Sequence, residues 1–331
     1  MPPHLIFGAG GIGTTEKSFT FTWHTPEKTA ELLSVLKRLE VLELDSAASY
    51  PPKNPWCTEA LLGQAKAADA GFIINSKIAG HVQGPKLNDE AINASVEKTL
   101  QLLGVEKVSV LFSHFPDVLT PLDETAAAFH RQHQLGRFER LGLCNYSVED
   151  MAKYFEICEE KGYVKPTVYQ GSYNALSREA EAGLIPLLRK HNCVFQAYSP
   201  LAGGFLTGKV TEALDSGDSA SLNRTRWQGD SVFPVYVSKY TSPAMHDAIR
   251  RLKAVCESAS PRISVKEAAE RWIMHHSALQ DGDGVIFGSK TIENVESNVD
   301  DFRKGPLDGD ALKAVESMWE TVQDGMKDPS A

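Results

Sequence analysis

Short runs typical of β-strands alternate with longer segments of helical periodicity along the whole chain. Eight such runs can be counted: HLIF, VLELD, FIINSK, VSVLFSH, FERLGLCN, TVYQGSYN, VFQAYSP and GVIFGSK. Repeated strand–helix units predict a parallel sheet, and eight units are the number that closes a barrel. We therefore expect one α/β domain over residues 1–331, a (β/α)8 TIM barrel. A long loop insertion with an extra helix is expected between strands 7 and 8, at about 203–259, and an extra helix at the C-terminal end. An open doubly wound sheet is the alternative.

The ends of several predicted helices carry residues that favour helix boundaries. Thr25, followed by Pro26, suits the start of the first helix, and Ser147 suits the start of a later one, because a hydroxyl can accept from free backbone N–H groups. Gly104 and Gly162 follow helical segments, where glycine adopts the left-handed backbone that ends a helix. These signals set the expected lengths of the helices.

The composition argues against a nucleic-acid or membrane partner. The net charge is −9 and no dense block of Lys and Arg offsets it. No apolar run approaches the roughly 18 residues that a membrane span needs. The five cysteines are odd in number and include no C-x-x-C pair, which is typical of a reducing compartment. We expect a soluble cytoplasmic protein, a monomer or a homodimer, that acts on a small molecule.

Barrel enzymes carry their chemistry at the C-terminal ends of the strands, and polar residues lie at six of these positions. Each has an ordinary structural explanation when taken alone: Asp45 as a helix cap, Lys77 as a solvated lysine at the rim, His114 as a hydrogen-bonded core histidine. Six such positions do not follow from strand or helix periodicity, so together they favour a catalytic site. The six are Asp45, Lys77, His114, Asn145, Gln170 and Tyr198, and Tyr50 lies just beyond the second strand.

These residue types supply the parts of a proton donor. A free tyrosine has a pKa of about 10, and a neighbouring ammonium lowers it by favouring the phenolate. Lys77 is a candidate for that ammonium, and the carboxylate of Asp45 would keep it charged. A neutral His114 would orient a substrate carbonyl while Tyr50 protonates its oxygen. The carbon of that carbonyl then needs a hydride, which a nicotinamide cofactor supplies.

Two other kinds of site are less consistent with the sequence. GAGGIG, at 8–13, fits the glycine pattern of a dinucleotide-binding fold, with Glu43 or Asp45 as the ribose-binding acid. That pattern opens directly into a helix, whereas here the first helix is expected only at about residue 26, so the glycines more plausibly form a tight loop beside a cofactor. No H-x-H lies on a strand, and HRQH at 130–133 lies on a predicted helix, so we expect no metal.

Six stretches resemble the aldo-keto reductases: LDSAASY, NSKIAG, FSHFPD, GLCNYS, VYQGSYN and AYSPLAGGFLTGK. The resemblance extends from the first strand to about Asn298 and is closest to the aflatoxin-aldehyde and succinic-semialdehyde reductase subgroup. That family is a barrel family that uses NADPH. The resemblance implies that Tyr50 is the catalytic acid, that Lys77 and Asp45 tune it, and that His114 orients the substrate.

The resemblance also implies an NADPH site. Two amides would hold the nicotinamide carboxamide, Tyr198 would stack on the ring, and residues 199–209 would wrap the pyrophosphate. The stretch GSKTIENVESN follows the last strand and opens a helix, where backbone N–H groups favour an anion; Lys290 adds the positive charge that a 2′-phosphate needs. The implied cofactor residues are Asp45, Asn145, Gln170, Tyr198, Ser199, Pro200, Leu201, Gly203, Gly204, Lys209, Arg226, Gly288, Ser289, Lys290, Asn294 and Asn298.

Aromatic residues on loops near the expected mouth suggest an apolar or aromatic carbonyl substrate. They are Trp56, Phe115, Trp227 and Tyr236, with Phe233 beside them. The subgroup carries an arginine-containing stretch that helps to bind substrate carboxylates; YVSKY stands there in this chain, so small acidic aldehydes are not favoured. The leading function is an NADPH-dependent carbonyl reductase. The alternative is a non-catalytic or weakly catalytic NADPH-binding regulatory subunit, similar to the potassium-channel β subunits that resemble the same family.

Overall fold

Eight parallel strands close into a barrel in the computed structural model, which describes residues 1–14, 22–79, 87–223, 225–228 and 234–326. Each strand pairs with its neighbours in sequence, and the first pairs with the last, so that His4 lies opposite Gly284. The predicted barrel is confirmed, and its closure excludes an open sheet. The strands are β1 (His4–Gly8), β2 (Glu43–Asp45), β3 (Ile73–Lys77), β4 (Val108–Ser113), β5 (Phe138–Cys144), β6 (Pro166–Ser172), β7 (Val194–Tyr198) and β8 (Gly284–Phe287).

Helices surround the barrel and lie against its outer face. Within the described ranges, none is long and apolar enough to cross a membrane. They are α1 (Pro26–Arg38), α2 (Cys57–Gln64), α3 (Asp89–Leu103), α4 (Leu122–Gln134), α5 (Val148–Lys161), α6 (Leu184–Lys190), α7 (Lys209–Ser216), α8 (Pro234–Tyr240), α9 (Pro243–Ser258), α10 (Val265–His275), α11 (Ile292–Arg303) and α12 (Gly309–Met326).

The predicted helix boundaries are confirmed. The Thr25 hydroxyl accepts a hydrogen bond from Lys28 N at 3.3 Å, and the Ser147 hydroxyl accepts one from Asp150 N at 3.0 Å. Gly104 ends α3 with a φ of 69°, a left-handed conformation that favours glycine.

The connection between β7 and β8 contains more helical structure than the single extra helix expected there. α7, α8 and α9 precede α10, and α12 packs against α9 and α10. Ser242 caps α9 by accepting from Met245 N, and Pro243 follows as its first residue, which is a favourable helix start that the polar composition of this stretch obscured.

Several strands end earlier than the sequence runs suggested. β4 ends at Ser113 and β5 at Cys144, so that His114 and Asn145 are the first residues after their strands. Asn145 has a φ of 62°, which lies outside the extended region and stops the strand. Gln170 was expected at a strand end but lies inside β6, two residues before Ser172.

Two kinds of side chain fill the inside of the barrel. Val110 and Phe112 of β4 form an apolar cluster with Cys144 and Val168. A Cβ atom at Gly142 would lie 2.2 Å from the Phe112 ring, so only glycine leaves room for that ring. Polar side chains of β2, β3, β6 and β7 are also buried: Asp45, Asn75, Lys77, Gln170 and Gln196.

Candidate active site

A buried lysine–carboxylate pair lies at the C-terminal ends of β2 and β3. Lys77 Nζ donates to Asp45 Oδ1 at 2.6 Å and to Oδ2 at 2.7 Å, and it also donates to the Ser46 carbonyl at 2.9 Å. From β6, Gln170 Nε2 donates to Asp45 Oδ1 at 2.8 Å. Both charges are therefore hydrogen-bonded as well as paired, which buried charges require.

The lysine stays protonated in this environment. Burial is the largest single influence and favours the neutral amine, but the charge of Asp45, the neighbouring Tyr50 and Cys144 and the hydrogen bond to Asp45 together outweigh it and raise the pKa of Lys77 above its ordinary value. The result is a permanent ammonium ion inside the end of the barrel.

Tyr50 and His114 face this ammonium from the loops after β2 and β4. Lys77 Nζ lies 5.1 Å from the centroid of the Tyr50 ring, and the Tyr50 and His114 rings meet edge to face with their centroids 5.7 Å apart. Ser49 Oγ lies 3.1 Å from His114 Nδ1, within hydrogen-bonding distance, which restricts rotation of the imidazole. The structure thus brings Asp45, Tyr50, Lys77 and His114 together, although they come from three strand ends.

Asn145 joins the histidine loop to the end of β7. Its Nδ2 donates to the His114 carbonyl at 2.9 Å, and its Oδ1 accepts from the Tyr198 hydroxyl at 2.9 Å. Both ends of the amide are used, so the position of the Tyr198 ring is fixed relative to the loop after β4. Gln170 lies on the neighbouring strand, in contact with Asp45.

The loop after β7 has an unusual backbone. Ser199 and Ala202 have φ values of 59° and 49°, and Gly203 and Gly204 follow with 66° and 99°. Such values cost free energy for residues other than glycine and concentrate at functional sites. Ala202 N and Gly204 N donate to the Ser199 and Leu201 carbonyls within the loop. Loops with successive turns of this kind can bind an anion through their remaining N–H groups.

A second segment packs against this loop. Trp227 Nε1 donates to the Gly203 carbonyl at 3.0 Å, and the Trp227 ring lies 5.6 Å from that of Phe205. Arg226 immediately precedes Trp227 in this segment. Lys209 is exposed at the first position of α7.

The turn between β8 and α11 contains the residues that the sequence predicted for a phosphate site. Thr291 caps α11 by accepting from Asn294 N at 3.3 Å, while the Asn294 side chain is exposed. Asn298 Nδ2 donates to Ser289 Oγ at 3.0 Å, and Lys266 Nζ donates to Asn298 Oδ1 at 3.1 Å. Gly288 and Lys290 flank Ser289 in the same turn.

The aromatic residues expected at the mouth have different surroundings. Phe115 stacks on His114 with ring centroids 4.7 Å apart and is 37% exposed. The Trp56 ring lies under Lys98 Nζ of α3 at 4.4 Å, and Trp227 packs on the glycine loop as described above. Tyr236 belongs to α8, and Phe233 lies outside the described residues.

Three polar residues beneath the site, two of them buried and one, Glu43, partly buried, were missed from the sequence. Gln196 accepts from Gln170 Nε2 at 3.4 Å and donates to Glu43 Oε1 at 3.2 Å, and Asn75 Nδ2 donates to the same oxygen at 2.6 Å. Each of the three precedes a predicted site residue by two positions: Glu43 before Asp45, Asn75 before Lys77 and Gln196 before Tyr198. Because side chains alternate along a strand, this spacing was the signal that places them on the same face.

The comparisons with known proteins agree with this geometry. The model of the Aldo/keto reductase family matches residues 4–320. Aflatoxin B1 aldehyde reductase member 2 of Homo sapiens is 34% identical over 330 residues, which cover 97% of this chain and 88% of that protein. An aldo-keto reductase of Pseudocercospora fijiensis is 34% identical over 300 residues, covering 88% of this chain and 97% of the other.

A third relative is an oxidoreductase of Leptosphaeria maculans, 30% identical over 327 residues that cover 97% of this chain and 95% of that protein. The resemblance inferred from the six sequence motifs, including the likeness to aflatoxin-aldehyde reductases, is confirmed.

Proposed function

The chain belongs to the aldo/keto reductase family, and we propose that it reduces an aldehyde or ketone to the alcohol with NADPH as the reductant. The observation that carries this proposal is the Lys77 ammonium, held by the Asp45 carboxylate on one side and facing the Tyr50 ring at 5.1 Å on the other. A phenol beside a buried ammonium ion is suited to give up its proton.

Each of the four residues has a separate task in this proposal. Tyr50 gives its phenolic proton to the carbonyl oxygen, and the charge of Lys77 stabilises the phenolate that remains. Asp45 keeps Lys77 protonated. His114 donates a hydrogen bond to the carbonyl oxygen and so holds the substrate in line. The nicotinamide, when bound, supplies the hydride.

The residues around the site fit such a cofactor. Asn145 and Gln170 offer amides for the carboxamide, and Tyr198 offers a ring that Asn145 holds in place. The left-handed turns at Ser199, Gly203 and Gly204 suit the pyrophosphate. For the 2′-phosphate we propose Ser289 and Lys290. Neutralising Lys290 should weaken NADPH binding by roughly 10- to 150-fold, the equivalent of about 1.5–3 kcal/mol for a charge-assisted hydrogen bond, while NADH binding stays nearly unchanged.

We propose an apolar or aromatic carbonyl as the substrate. Phe115 presents a partly exposed ring directly beside His114, where the carbonyl would sit. Several relatives are named for the reduction of aflatoxin B1 aldehyde, a name consistent with this preference.

The test is NADPH oxidation measured across a panel of aldehydes and ketones, with wild type and Tyr50→Phe in parallel. Wild type should turn over at least one apolar aldehyde. Tyr50→Phe lacks only the transferable proton, so it should keep the wild-type dissociation constant for NADPH and lose about 10²- to 10⁴-fold in kcat.

Rates close to wild type in Tyr50→Phe would show that Tyr50 is not the proton donor. Tight NADPH binding without turnover of any carbonyl would instead favour the regulatory function.

A further inference from the structure

Lys266 of α10 lies beneath the turn that precedes α11 and contacts four side chains. Its Nζ atom lies 2.6 Å from Asp301 Oδ2, and 3.1 Å from each of Glu270 Oε2, Ser297 Oγ and Asn298 Oδ1. Its side chain is only 21% exposed, so it lies below the surface on which a ligand would bind.

The contact between Lys266 and Asn298 has a fixed direction. An ammonium group only donates, so the oxygen of the Asn298 amide must face it and the NH₂ group must face away. The NH₂ group then donates to Ser289 Oγ, as the 3.0 Å distance indicates. Because the Ser289 oxygen accepts this bond, its own hydrogen remains available for a different acceptor.

We propose that Lys266 is a positioning residue for the 2′-phosphate of the cofactor. It holds the Asn298 amide in the orientation that leaves the Ser289 hydroxyl as a donor to a phosphate oxygen. This inference rests on the proposed use of NADPH. Without Lys266 the amide can turn over, its oxygen then takes the hydrogen of Ser289, and the serine presents lone pairs to the phosphate.

The charge of Lys266 itself contributes little to this effect. The ammonium is already paired with the carboxylate of Asp301; it also contacts Glu270, whose pKa burial raises to about 8. Asp301 also accepts from Lys304 Nζ at 2.7 Å, so one carboxylate keeps a cationic partner when Lys266 is replaced. The expected consequence is therefore a change in hydrogen-bond direction at Ser289 more than a change in potential.

Adenosine 2′,5′-bisphosphate and AMP, which differ only in the 2′-phosphate, isolate this part of the site. Their dissociation constants are measured by titration calorimetry for wild type, Lys266→Met and Lys266→Arg. Lys266→Met should weaken binding of the bisphosphate by roughly 3- to 15-fold, the factor for one hydrogen bond, and change binding of AMP less than twofold. Lys266→Arg keeps a cationic donor and should restore most of the preference.

A double-variant comparison tests the route through Ser289. Ser289→Ala alone should weaken binding of the bisphosphate by a factor similar to that of Lys266→Met. The combined variant should weaken it no more than either single variant. Asn298→Leu removes the amide that links Lys266 to Ser289 but leaves the ion pair between Lys266 and Asp301 in place. It therefore tests the inference even where Lys266→Met does not fold.

Equal weakening of both ligands by Lys266→Met, or losses that multiply in the combined variant, would overturn the positioning role. A wild-type protein that binds both ligands equally would overturn the proposed 2′-phosphate site instead, and this inference with it.

Discussion

Two neighbouring pairs of strands send opposite kinds of side chain into the barrel. β2 and β3 contribute Glu43, Asp45, Asn75 and Lys77, all of them hydrogen-bonded to one another or to nearby amides. β4 and β5 contribute Val110, Phe112 and Cys144, with Gly142 leaving room for the Phe112 ring. The two groups meet where Lys77 Nζ lies 5.7 Å from the centroid of the Phe112 ring.

The two pairs of strands therefore have different roles in one barrel interior: β2 and β3 carry the charged groups, and β4 and β5 carry the packed apolar side chains. The polar pair of strands holds a charged group in place beside Tyr50, and its free energy depends on every partner being present. The apolar pair fills volume, and it excludes water from one side of the ammonium. A substitution should therefore reduce activity or stability depending on which pair of strands it alters.

The largest effect is expected where the charged pair is broken. Lys77→Met removes the ammonium, so kcat should fall by about 10²- to 10⁴-fold. It also leaves the Asp45 carboxylate buried without a cation, which should cost about 3–5 kcal/mol in the free energy of unfolding. Urea denaturation and the aldehyde assay measure the two losses separately.

The matched control for this variant is Asp45→Leu/Lys77→Met, which removes both charges. Replacing a buried ion pair by apolar residues is often nearly neutral for stability, so most of the free energy of unfolding should return while turnover stays absent. A double variant no more stable than Lys77→Met would contradict the ion-pair interpretation.

Glu59 of α2 packs against the outer face of β3, and its carboxyl group forms no ion pair with a lysine or arginine among the described residues. Ser76 Oγ donates to Glu59 Oε1 at 2.5 Å on the side of the strand opposite Lys77, and Thr99 donates to Oε2. Burial raises the pKa of Glu59 to about 7, because these hydroxyl groups offset the loss of water only in part. A raised pKa means that stability is full below the ordinary pKa of about 4.5 and falls as pH rises from there through about 7.

Glu59→Gln should remove that loss. At pH 4 the variant and wild type should unfold at similar urea concentrations, and at pH 8 the variant should be more stable by roughly 3 kcal/mol, the linkage value of a shift of this size. Parallel pH profiles for the two proteins would mean that Glu59 ionises normally.

A smaller effect is expected from the apolar pair of strands. Val110→Ala removes two buried carbons and should lower the free energy of unfolding by roughly 2 kcal/mol, as lost apolar burial and a small cavity predict. Because Val110 does not belong to the charged group, kcat at a permissive temperature should stay within about threefold of wild type. A loss of activity as large as that of Lys77→Met would contradict the interpretation that β4 and β5 contribute to packing more than to activity.

The smallest effect is expected at the start of β1, where His4 contacts Glu43 of β2. His4 Nε2 lies 2.9 Å from Glu43 Oε2, and this hydrogen bond raises the pKa of His4 above its ordinary value. The stabilisation should therefore be fully present below about pH 6.5, the ordinary pKa of histidine, and disappear as pH rises through the raised pKa. Since His4 is 45% exposed, solvent limits the contribution to less than about 1 kcal/mol.

His4→Gln should therefore be slightly less stable than wild type at pH 5.5 and equal to it at pH 9, in urea denaturation at the two pH values. A difference that grows toward high pH would have the wrong sign for this pair.

The sequence by itself determined the barrel and the four residues that lie together at the ends of its strands. Strand–helix alternation is a local pattern, and helix caps such as Thr25 and Ser147 are satisfied by neighbours three residues away, so both can be identified without knowledge of tertiary contacts. Asp45, Tyr50, Lys77 and His114 could be assembled because barrel closure brings all strand ends to one face.

The tertiary structure decided which polar groups connect to one another. Gln196 and Glu43 are 153 positions apart in sequence, and Lys266 reaches Asn298 across two helices, so no local pattern records either contact. Hydrogen bonds have a direction as well as a partner, and the direction of each amide depends on the charge that lies beyond it. For this reason the residue types at the strand ends indicated the chemistry, while only the packed barrel fixed how each side chain is oriented to perform it.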